Sequence, residues 1–203
     1  MRARSAAAVL MVLAVSSCGI ARETGKSVEE PAMSMQEAAE EADKIVSSTM
    51  RAVRPPVAWA HSVSSESSCG TSGEGTRTGS VTRRAAVLTV ISDERRGNFL
   101  GVLERHWKNS GYEITSVRNH PDNPAIFAAT PDDFRMSLEV GYKGQVFLDV
   151  TTPCVAESEV APPNPEPGEP EYTGEKPPLP DRRSDFWSAR TPVTSGGSES
   201  TAN

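Results

Sequence analysis

Few side chains in this chain of 203 residues are suited to chemistry: three cysteines, Cys18, Cys69 and Cys154, and three histidines, His61, His106 and His120. A zinc site needs three or four Cys, His or carboxylate ligands, usually with two close in sequence, and no such pair occurs. Residues 34–154 hold neither a Gly-x-Ser-x-Gly elbow nor a Ser-x-x-Lys nucleophile motif. What remains for acid–base work is the loop Asn119-His120-Pro121-Asp122-Asn123-Pro124. There His120, with Asp122 or with Asp132 of the Pro131-Asp132-Asp133 turn, would supply the base and acid of a hydrolase. Turn chemistry accounts for the same Asn, Asp and Pro residues without any catalysis. His61 lies in the apolar register of a strand and reads as a hydrogen-bonded core or edge residue. His106, beside Trp107 on a helix, reads as a partly exposed cap of an apolar stripe. On these grounds no catalytic, cofactor-binding or metal-binding residue is assigned.

The cysteines say more. Arg2 and Arg4 form a positive leader and Ala6–Val15 an apolar run of export-signal length, too short for a bilayer, which takes about 20 residues. Val15-Ser16-Ser17-Cys18 then reads as a lipobox, with cleavage before Cys18 and acylation of its thiol. A plain signal peptide cut nearby without lipid is the closest competitor. Lipid on Cys18 would leave Cys69 and Cys154 as one pair in an oxidising compartment. Their bridge would close most of the domain, a constraint of about 4–5 kcal/mol in the chain-entropy model.

These residues need elements to hold them. Residues 18–33 are polar and mixed, with Gly25 and Pro31, and read as a flexible tether. Ser34 with Glu37 forms a capping box. From it a helix runs with Met35, Ala38, Ala39, Ala42, Ile45, Val46, Thr49, Met50 and Val53 on one face and Glu40, Glu41, Asp43 and Lys44 on the other. Pro55 and Pro56 end it. The period then changes to two over 57–63, residues 67–79 read as a glycine-rich loop, and a second strand runs over 81–91. Ser92 or Asp93 caps a helix with Phe99, Leu100, Leu103 and Trp107 as its stripe, stopped at Ser110-Gly111. Strands are expected near 112–117 and 125–130, then a hairpin of 134–140 and 146–151. The whole is an α+β domain over 34–154, order α-β-β-α-β-β-β-β, with a mainly antiparallel sheet of five or six strands and two helices on one face.

Beyond Cys154 the composition shifts. Nine of the sixteen prolines lie between Pro162 and Pro192, few apolar side chains remain, and 155–203 is expected to be a disordered acidic tail. Within it Pro177-Pro178-Leu179-Pro180 and Phe186-Trp187 are the segments that could engage a partner. The formal charge is −6, and becomes −8 once 1–17 are removed, since these carry Arg2 and Arg4 and no acid. Arg83-Arg84 and Arg95-Arg96 read as isolated pairs on solvated faces, so nucleic-acid binding is not expected.

Cys18 in its lipobox, Cys69-Gly70, Trp107 with Gly111-Tyr112, Thr130-Pro131-Asp132-Asp133-Phe134 and Thr152-Pro153-Cys154 together resemble small actinobacterial lipoproteins of uncharacterised function. The resemblance spans about 57–154 and implies a location and a compact disulfide-closed domain, with no inherited catalytic residues. The expected function is a membrane-anchored extracytoplasmic binding or interaction module, held by lipid on Cys18, with an envelope protein as partner and no cofactor. The rival is an envelope hydrolase built on His120.

Overall fold

In the computed structural model, residues 33–72, 75–165, 167–170 and 177–191 are described. The expected signal segment, Cys18 and the expected tether up to residue 32 lie outside them. The first helix, α1 (Met35–Arg51), forms where the apolar spacing places it, and both halves of its capping box are made. The Glu37 backbone N–H donates to Ser34 Oγ at 3.3 Å, and the Ser34 N–H to Glu37 Oε2 at 2.8 Å. The latter bond favours the ionised carboxylate and holds the Glu37 pKa below its ordinary value.

Eight strands follow in one sheet: β1 (Trp59–His61), β2 (Ser65–Ser72), β3 (Thr76–Val87), β4 (Glu113–Arg118), β5 (Ala125–Ala129), β6 (Arg135–Val140), β7 (Val146–Thr151) and β8 (Val155–Ala156). The second helix, α2 (Asp93–Asn109), links β3 to β4. The order is β1-β3-β7-β6-β5-β4, with β2 and β8 also paired to β3, and every strand pairing is antiparallel. Because four antiparallel pairings separate β3 from β4, these two strands run in the same direction, and α2 carries the chain back across the sheet between them.

Both helices share one core with the sheet, α1 over β3 and β7 and α2 over β4 and β5. Met136, Leu138 and Val140 of β6 and Val146, Leu148 and Val150 of β7 are all buried under them, as the alternation in the hairpin requires. Trp107 Nε1 donates to Thr49 Oγ1 at 3.1 Å, satisfying two buried polar groups and pinning one helix to the other.

The α+β architecture is as expected, but one stretch differs from the sequence reading. Residues expected as a glycine-rich loop instead form the β2–β3 hairpin, with a bulge between Ser68 and Gly70 and Gly75 at φ 92°. Residues 65–70 of β2 are exposed and never face the core, so this strand has no apolar alternation to read. It is held by backbone pairing and by Cys69, bonded to Cys154 with Cα atoms 6.0 Å apart.

Of the stretch after Cys154, residues 155–165, 167–170 and 177–191 are described, and parts of it pack against the domain. Val155–Ala156 adds β8 to β3, and the Ala156 N–H donates to Met33 O at 3.1 Å. Further on, the Val90 N–H donates to Arg182 O at 2.7 Å and the Ser92 N–H to Trp187 O at 3.0 Å. Trp187 is 1% exposed, meets Phe99 edge-on with centroids 5.4 Å apart, and donates from Nε1 to Pro55 O at 2.6 Å. One tryptophan and a run of backbone hydrogen bonds to residues 88–92 hold this part of the proline-rich stretch in place.

Candidate functional site

The expected acid–base pair does not assemble. His120 and Asp122 are exposed on the β4–β5 loop, and the contact between them is from the Asp122 backbone N–H to His120 Nδ1, at 3.2 Å, not from its carboxylate. Asp132 is exposed in the β5–β6 turn, at the other end of β5. Five residues of strand, about 3.3 Å each, keep it out of reach of His120. His106 is half-buried on α2, and burial lowers its pKa from the ordinary imidazole value.

A different histidine stands in a built site. The register pairs His61 with Ala85 and Ala85 with Leu148, so His61 is on the helix side of the sheet. Arg83, two residues before Ala85, shares that side and is 1% exposed. Asp43 of α1 comes down onto them: its Oδ1 lies 3.1 Å from Arg83 Nε and 3.7 Å from His61 Nε2. The C-terminal segment closes the group from outside. Glu169 Oε1 accepts from the His61 backbone N–H at 2.5 Å and lies 2.7 Å from His61 Nδ1. Arg83 spends its other nitrogens on Ser64 Oγ at 3.0 Å and Ala161 O at 2.8 Å.

Four ionisable side chains from four segments therefore meet at the edge of an apolar core. Burial raises the Asp43 pKa from the ordinary carboxylate value, while the charges of Arg83 and His61 pull it back down. Two carboxylates facing one guanidinium and one imidazole can hold a shared proton and orient a polar ligand. Among the described residues, the side-chain partners of His61 are the carboxylates of Glu169 and Asp43. Over the group opens a cavity of about 500 Å³, lined by His61, Ser62, Arg83 and Glu169 on the polar side and by Val160 and the prolines 162, 163, 165 and 170 on the other. Ser62 Oγ and His61 Nε2 are buried without a hydrogen-bond partner.

Most of this site escaped the sequence reading. By sequence, Asp43 belongs to the polar face of α1, Arg83 to a solvated face and Glu169 to the tail. Asp43 is four residues after Ala39 and three before Val46, at the border of the apolar stripe, and that spacing was a signal. Arg83 alternates with Val81, Ala85 and Val87, all buried, while Arg84 faces out to Asp149 at 2.6 Å; that period was a signal too. Nothing in the sequence marks Glu169, whose placement depends on the path of the chain after β8. Among the described residues, no three His, Cys, Asp or Glu side chains are gathered as for a metal, and no helix is long and apolar enough to cross a membrane.

No family model and no curated protein matches the chain. A crystal structure of a DUF4853 family protein from Actinomyces odontolyticus is similar over 73% of this chain and 78% of its own, with a TM-score of 0.42 and 12% sequence identity.

Proposed function

We propose that this is an extracytoplasmic lipoprotein, tethered to the cell membrane through lipid on Cys18, whose domain is a binding module with the cavity over His61 and Arg83 as its contact. The observation that carries the binding reading is that cavity. Ser62 Oγ, in its wall, is buried with no hydrogen-bond partner among the described residues. Buried polar groups are as a rule hydrogen-bonded, so unmet ones at a concave surface are sites where a ligand gains affinity. The lipid reading draws support from cysteine parity, since the bond between Cys69 and Cys154 leaves Cys18 as the third thiol. An envelope protein is the partner class this location implies.

Two measurements test the proposal. Cys18→Ala is expected to release the protein from the membrane fraction or to block its processing, and unchanged membrane retention would refute the anchor. For the binding site, thermal-shift screening of small polar metabolites against the wild type and Ser62→Val should yield compounds that stabilise only the wild type. Equal shifts in both would remove the cavity from the proposal.

A further inference from the structure

The sheet has two unlike ends. At the end where the chain enters α1, Glu37, Glu113, Asp132 and Asp133 outnumber their cations, and both Arg77 and Arg135 there are engaged, with Glu157 at 2.7 Å and Asp133 at 3.0 Å. At the opposite end, where β3 gives way to α2, the polarity reverses. A cleft of about 350 Å³ is bounded by the first residues of α2, the Tyr142–Gly144 turn and the C-terminal segment. Among the described residues Arg96, Lys143, Arg183 and Arg190 line it, with Asp93 and Glu94, and Lys143 is already engaged. Arg96 is paired with Asp93. Arg183 and Arg190 are exposed and make no ion pair or hydrogen bond among the described residues.

Four cationic residues border one small cleft, and in a chain of net charge −6 this arrangement is not a consequence of composition. The turn that presents Lys143 is also sterically committed. Lys143 has φ 58°, and a Cβ on Gly144 would come 2.9 Å from Arg96 NH2, so the turn lies directly against the Arg96 guanidinium.

We infer that this cleft is a binding site for a phosphate group carried by a small ligand, with Arg183 and Arg190 as its principal donors. Arg183 and Arg190, without a partner among the described residues, supply two positive charges, which suits the dianion of a phosphate monoester better than a single carboxylate. The guanidinium fork matches phosphate oxygens in bidentate fashion, and two such groups from one segment fix its orientation. Arg96 on α2 and Arg183 and Arg190 on the C-terminal segment would be drawn together by one ligand, so occupancy also ties that segment to α2. The site is separate from the His61 cavity and does not depend on lipid at Cys18.

The test is titration of the full chain with inorganic phosphate at 150 mM NaCl, followed by calorimetry and by amide chemical shifts. Saturable binding is expected, with shifts at 93–96, 143–144 and 183–190, weakened at least tenfold by Arg183→Ala with Arg190→Ala and unchanged by Arg77→Ala with Arg135→Ala. A second arm uses phosphatidylglycerol vesicles. Vesicle binding lost in the same double variant assigns the phosphate to a lipid headgroup; phosphate binding without vesicle binding assigns it to a free ligand. Absence of saturable phosphate binding at that salt concentration, or binding that survives Arg183→Ala with Arg190→Ala, overturns the inference.

Discussion

The C-terminal segment is fastened to the domain at two points by opposite means. At Trp187 an aromatic side chain fills an apolar site beside Phe99, with a single hydrogen bond for its indole N–H. At Glu169 a carboxylate, 3% exposed, is held by the backbone and ring nitrogens of His61. The first contact gains from removing a large apolar surface from water, a term that needs no partner of matching charge. The second must first overcome desolvation of two carboxylates and a guanidinium, so its net contribution to stability is small even where its geometry is good. The comparison teaches where to look for function: the apolar contact fixes the chain, and the polar one, costly to build, lines the cavity.

The largest expected effect is at the apolar point. Trp187→Ala should lower unfolding free energy by about 3–5 kcal/mol in urea titration, because it leaves a cavity against Phe99 and an unpaired carbonyl at Pro55. An intact midpoint would reverse the ranking of the two contacts. A smaller loss, about 1–2 kcal/mol, is expected for Glu169→Gln, since the amide oxygen can still accept from His61 while the charge is gone. Its signature is local: faster amide hydrogen exchange at His61 with little change elsewhere. Uniformly faster exchange would show that Glu169 supports the whole domain and is no separate clamp.

The smallest effect is a change in pH dependence. Burial raises the folded-state pKa of Asp43 above its value in the unfolded chain. Its contribution to stability is therefore fully present below the ordinary carboxylate pKa and is lost as pH rises through the raised folded value. Urea midpoints of the wild type relative to Asp43→Asn should accordingly fall as pH is raised through that window. A difference that grows with pH would mean that pairing with Arg83 outweighs desolvation.

The fold was largely legible in the sequence and the site was not. Periodicity and caps located α1, α2 and the β6–β7 hairpin because each buries one face against a single core, and such faces leave a period in the sequence. The β2 strand was missed because it has no buried face. Asp43 and Arg83 stand at core-facing registers, yet a charge at such a position reads as surface unless its partners are known. Those partners come from other segments, and Glu169 lies 108 residues after His61.

The sequence by itself determined the α+β class, the capping box of α1 and the parity of the three cysteines, because these depend on local spacing and counting. Only the tertiary structure decided that the proline-rich segment docks, that His61 and not His120 sits in a built polar site, and that cations gather at one end of an acidic protein. Each of these depends on groups distant in the chain meeting in a low-dielectric or confined place, where the energy of a charge is set by its neighbours in space and not by those in sequence.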